Sequence, residues 1–149
     1  MAASLATRFA EKVYDPIDAA DSLDARPSFA GLMYPVITMA PQAHGGSKKA
    51  LLGDNPSSDV IDHYSCEKRV TASTPPSFIC YAIDDDAVPP IGNSVAMYLA
   101  LAATKIPVEI HGFQEGGHGF GIRIAQGKPC AVWPDLFVTW GKRGGWFKA

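Results

Sequence analysis

Two loops, one rich in carboxylates and one in glycines around a histidine, hold the side chains best suited to chemistry. Asp84-Asp-Asp-Ala-Val-Pro-Pro90 follows one apolar segment, and Gly116-Gly-His118-Gly-Phe-Gly121 follows another. A carboxylate beside an imidazole fixes the ring tautomer and stabilises the imidazolium that forms when the ring accepts a proton. An Asp from the first loop and His118 from the second would make such a pair, and glycines on both sides of His118 let the backbone turn tightly and present the ring. His111 lies within an apolar segment and His63 on a short helical one. Neither has partners at metal-ligand spacing, so both read as structural and no metal is expected.

The elements that must position these loops alternate along the chain. Leu5, Phe9 and Val13, with Ala6 and Ala10 beside them, form the stripe of an amphipathic helix over residues 2–13. A polar loop follows to Pro27. Gly31 to Met39 is nearly all apolar and reads as a strand buried on both faces, with Pro35 marking an edge or a bulge. Short helices are expected from Ser47 to Leu52 and from Ser57 to Tyr64, with Ser57 as cap. Ser77 to Ile83 is a second buried strand, Ile91 to Thr104 a long helix, Pro107 to Phe113 a third strand, and Trp133 to Lys142 a final helix. This rhythm predicts an α/β fold with about three parallel strands and flanking helices, in one domain over residues 1–149. In such a sheet ligands bind beyond the C-terminal ends of the strands, where both loops lie.

Asp85-Asp-Ala-Val-Pro89 resembles the D-x-x-V-P loop of α/β-hydrolases in the acetyl-xylan-esterase, lipase/esterase-like and dienelactone-hydrolase-like group, and His118-Gly-Phe120 resembles their H-G-F loop. The similarity continues through Tyr34-Pro-Val-Ile37, Leu51-Leu-Gly-Asp-Asn-Pro-Ser57, Thr74-Pro-Pro-Ser-Phe78 and Trp133-Pro-Asp135, in order over nearly the whole chain. Each motif is weak alone; the ordered set is specific. The resemblance implies a partial α/β-hydrolase fold, its C-terminal half, with Asp85 as the acid and His118 as the general base of a catalytic triad. Asp84 and Asp86 are then solvated or capping residues, since like charges disfavour joint ionisation about one partner.

The nucleophile is unknown. The family carries its serine in G-x-S-x-G on a strained strand-to-helix turn, and no such pentapeptide occurs in these 149 residues. The resemblance implies a serine a few residues before Met1, followed by a helix like residues 2–8. His44-Gly-Gly46 imitates the family's oxyanion motif but follows the wrong strand. Ser94 and Ser47 imitate elbows but read as helix-starting or capping residues, and Ser4 lies near the open end of the first helix. The strand around Met33 to Met39 would lose its neighbour and expose an edge beside apolar surface, which predicts a homo-oligomer or a complex with a missing N-terminal half.

The remaining composition narrows the function further. Apolar residues make up 47% and charged residues 19%, with a formal net charge of −2, so there is no basic stripe for nucleic acid. No apolar run reaches the roughly 18 residues needed to span a bilayer, and residues 1–8 lack a basic segment leading into an apolar one, so a cytoplasmic protein with no membrane partner is expected. The three cysteines, Cys66, Cys80 and Cys130, have no metal-ligand spacing and read as buried small residues. No G-x-G-x-x-G follows an opening strand, which disfavours a dehydrogenase, and no cofactor is expected. Two functions stand: a carboxylic-ester hydrolase of weak or unconventional activity acting on a small ester, or a non-catalytic hydrolase fragment serving as an interaction module.

Overall fold

The computed structural model describes residues 1–148. Three parallel strands, β1 (Ala30–Met33), β2 (Ser77–Ala82) and β3 (Val108–Phe113), form one sheet in the order β1-β2-β3. Leu32, Ile79 and Ile110 stand in register across it, as do Met33, Cys80 and His111. Five helices surround the sheet: α1 (Ala2–Arg8), α2 (Gly45–Leu52), α3 (Ser58–Tyr64), α4 (Ala96–Ala103) and α5 (Trp133–Arg143).

Strand alternation divides the apolar residues between two clusters. Ala30, Leu32 and Ile79 join Ala3 and Ala6 of α1 and Met97 and Leu101 of α4. Phe78, Cys80 and Ala82 point the other way, to Trp140 of α5 and to Phe120 of the loop after β3. β2, with neighbours on both sides, is buried along nearly its whole length. All three cysteines are free and buried in these clusters; burial first, and the neighbouring Cys130 second, push the Cys80 thiol up to about 12.

Two expected elements differ from the sequence reading. The first helix ends at Arg8 and does not reach Val13, and its buried face is Ala3, Ala6 and Thr7, while Leu5 and Val13 are exposed. Small side chains let α1 lie close on β1, so the wider Leu5 stripe turns outward. The first strand ends at Met33, six residues before Met39. Tyr34 takes a left-handed backbone (φ 40°), and Pro35 cannot donate to a ladder.

The apolar run nevertheless stays buried after it leaves the sheet, with Ile37 and Thr38 in the core. Their N–H groups both donate to Asn93 Oδ1, at 2.9 and 3.2 Å. The Asn93 amide nitrogen donates in turn to the carbonyls of Gln42 (3.0 Å) and Pro89 (2.9 Å). Asn93 sits in a π turn, Ile91–Val95, that opens the expected long helix ahead of α4. Met39 N–H donates to Ser65 Oγ, and Cys66 N–H to the Ile37 carbonyl, so side chains and loops supply partners that a neighbouring strand would otherwise provide.

Asn93→Ala leaves two buried N–H groups without acceptors and is expected to lower unfolding free energy by about 3 kcal/mol. Urea unfolding of the two proteins measures this; a difference within error would show that the Asn93 bonds contribute nothing net.

Candidate active site

Asp85 leaves the end of β2 in a turn closed by its own N–H on the Ala82 carbonyl, and Val88, buried three residues later, anchors the loop. The Asp85 side chain is only 1% exposed and is fully engaged. Its Oδ1 accepts the N–H groups of Ala87 (3.0 Å) and Val88 (2.9 Å), and its Oδ2 lies 2.8 Å from His118 Nδ1. An ionised carboxylate only accepts, so Nδ1 carries the proton and the Nε2 lone pair is left free to take one. The His118 side chain is 38% exposed.

The loop bearing His118 is shaped by its glycines. Gly116 is buried where a Cβ would come within 2.9 Å of Ala82 Cβ, 3.0 Å of the Phe120 ring and 3.1 Å of Cys130 Sγ. Gly117 and Gly119, on either side of His118, both have φ of +69°, a conformation side-chain-bearing residues rarely adopt. Phe120 then plunges into the core, and Trp133 Nε1 donates to the Gly121 carbonyl at 2.8 Å. Two residues outside the expected pair also hold this loop. Asp84 Oδ1 accepts the N–H groups of Gly116 (2.9 Å) and Gly117 (2.8 Å), and these bonds, Gly117 first, draw its carboxyl below the usual carboxylate range. Tyr34 packs edge-on against the His118 ring (5.3 Å between centroids) and against Phe120 (4.9 Å), while its N–H donates to the Cys80 carbonyl.

The other candidates lie elsewhere. His44 Nδ1 accepts the Ser47 N–H and meets the Ser47 hydroxyl at 2.9 Å, capping α2. Ser94 is buried in the π turn, and Ser4 Oγ lies 3.7 Å from Cys66 Sγ. His111 bonds Glu109 and packs on Phe78; His63 approaches Glu11. Asp86 is exposed. Among the described residues Asp85 is the sole hydrogen-bond partner of the His118 ring, and none of their hydroxyls is bonded to it. Among them, too, no three His, Cys, Asp or Glu side chains are grouped to hold a metal, and no helix is long and apolar enough to cross a membrane.

A groove of about 890 Å³ runs along the unpaired edge of β1, lined by residues that include Met1, Ser4, Met33, Tyr34, Pro35 and Leu51. Tyr34 connects the two regions, since it lines this groove and touches the His118 ring.

The backbone superposes on the acetyl ester-xyloside bifunctional hydrolase of Caldicellulosiruptor lactoaceticus with a TM-score of 0.90 and 33% identity, over 98% of this chain and 53% of that one. The chain belongs to the α/β-hydrolase superfamily. Within this superfamily it corresponds to a C-terminal half of the fold, and its relatives include esterases. It is 37% identical over 119 residues to endo-1,4-beta-xylanase B of Butyrivibrio fibrisolvens, covering 80% of this chain and 18% of that protein. It is 34% identical over 102 residues to an acetylxylan esterase of Xylanibacter ruminicola, covering 66% of this chain and 21% of that protein. The chain thus spans about half the length of the solved relative and about a fifth of the curated ones. No protein-family model matches it.

Sequence reasoning separated Asp85 from its neighbours only through the family resemblance, and it treated Asp84 as solvated or capping. The signal for Asp84 was its place at the strand end, facing two consecutive glycines whose N–H groups need an acceptor. Gly116→Ala, which forces a methyl group between Ala82, Phe120 and Cys130, is expected to cost about 1–3 kcal/mol. Thermal unfolding monitored by circular dichroism checks it, and an unchanged midpoint would mean the pocket around Gly116 is looser than described.

Proposed function

We propose that this chain supplies the acid and base of a carboxylic-ester hydrolase, acting on small esters such as sugar acetates. The observation that carries the reading is the 2.8 Å hydrogen bond between buried Asp85 and half-exposed His118, on adjacent loops beyond the ends of β2 and β3. In this role His118 Nε2 takes the proton of an oxygen nucleophile as it attacks the acyl carbonyl. Asp85 stabilises the imidazolium so formed, and the same proton then goes to the departing alkoxide. Water attacks the resulting acyl-enzyme by the reverse assistance. The substrate class follows from the acetylxylan esterase and the acetyl ester-xyloside hydrolase among its relatives.

The nucleophile in this reading comes from polypeptide outside these 149 residues, approaching across the groove beside β1 and Tyr34. That side is favoured because the β1 edge is unpaired and Tyr34 joins the groove to His118. The isolated chain should therefore turn over ester weakly, through water activated by His118, because removing a triad member leaves only residual catalysis. A non-catalytic interaction module is the second reading, favoured by the lack, among the described residues, of any hydroxyl bonded to His118.

Hydrolysis of p-nitrophenyl acetate by the chain and by His118→Ala separates the two. A rate that falls to background in the variant supports the ester hydrolase, and equal rates remove it. The open β1 edge and its groove are also expected to make the purified chain self-associate. Light scattering should report a dimer or larger species; a monodisperse monomer would sink self-association.

A further inference from the structure

We propose that Asp84 is a positioning residue for His118, holding the loop backbone so that the imidazole meets Asp85. The inference rests on the reading of His118 as a base and extends it to a residue outside the acid-base pair. Adjacent carboxylates at the end of β2 reach the same loop at different points. Asp85 takes the ring through Nδ1, while Asp84 Oδ1 takes the N–H groups of Gly116 and Gly117, the two residues just before His118.

The geometry makes the Asp84 contact consequential. Gly116 is pinned by the core on its inner side, where Ala82, Phe120 and Cys130 leave no room for a side chain. Gly117 has no such support: nothing lies within 4 Å of the position its Cβ would occupy. Its φ of +69° belongs to a residue that loses much conformational freedom on ordering. Among the described residues its N–H bond to Asp84 is the hydrogen bond that fixes this peptide. Without that bond the hinge immediately before His118 is free to rotate, and the ring swings with it. Both N–H groups meet one oxygen, so an uncharged carbonyl in the same place should still hold them, though less strongly than the carboxylate. The contribution of Asp84 is therefore that of an acceptor at a fixed point, separable from its charge.

The test compares Asp84→Ala, which removes the acceptor, with Asp84→Asn, which keeps an oxygen and removes the charge, each checked for folding by circular dichroism. In the wild-type chain, NMR should show a hydrogen-bonded His118 Nδ1–H proton. Its Gly117 amide should exchange at least about 10-fold more slowly than that of Gly119, which has no described hydrogen-bond partner. In Asp84→Ala the Nδ1–H signal should broaden or vanish, and kcat for ester hydrolysis should fall by up to about 100-fold with KM unchanged. Asp84→Asn should restore both.

Asp84→Ala with an intact Nδ1–H signal would overturn the proposal, and so would a failure of Asp84→Asn to rescue. If Asp84→Ala does not fold, equal exchange of Gly117 and Gly119 in the wild type overturns it without any variant. Hydrolysis that ignores His118→Ala removes the ester reading instead, and leaves the NMR readouts to decide the positioning role on their own.

Discussion

One buried side-chain amide joins the parts of this molecule that the sheet does not. Asn93 accepts from Ile37 and Thr38 and donates to Gln42 and Pro89, so four backbone groups from three segments meet on a single residue. In the low dielectric of the core each of those groups would be costly to leave unpaired, and together they permit an irregular chain where regular structure would otherwise be required. Two results follow. The segment that leaves β1 can turn sharply at Tyr34 and still be buried, and the loop that carries Asp85 is tied at Pro89 to the same point. The acid and the aromatic side chain that flank His118 are thus referenced to a common anchor.

Around that anchor the site is assembled from short-range contacts with separate tasks. Asp85 addresses the imidazole, Asp84 the peptide groups ahead of it, and Tyr34, itself packed on Phe120, meets the ring edge-on. Three consecutive carboxylates look redundant in the sequence, but Asp84 and Asp85 have different donors and Asp86 faces solvent. This division also explains how neighbouring charges are tolerated: the two that approach the loop are each neutralised locally by N–H groups aimed at them.

Much of this was legible in the sequence because periodicity and turn chemistry act locally. β2, bounded by Thr74-Pro-Pro76 and the aspartates, is a continuous apolar run and formed where expected; β3 and α5 did likewise. The first helix and first strand failed for a shared reason. Hydrophobic pattern signals burial, and burial was achieved there by other means: by the alanines of α1 pressed on β1, and by Asn93 after Met33. The partner of His118 could be found from loop order and family resemblance, whereas the work of Asp84, a bond to backbone on a distant loop, leaves no trace in residue type.

The aromatic residues give the protein an uneven optical character. All three tryptophans, Trp133, Trp140 and Trp146, pack on the α5 face of the sheet, and none belongs to the cluster beneath α1 and α4. Trp140 and Trp146 lie with ring centroids 4.6 Å apart, close enough to share excitation, and Trp133 is bonded through Nε1 to the loop that presents His118. Ultraviolet emission therefore reports one side of a three-stranded sheet. Melting of the α5 side registers as a change in tryptophan colour and intensity, while events along α1 and the β1 groove have no tryptophan to report them.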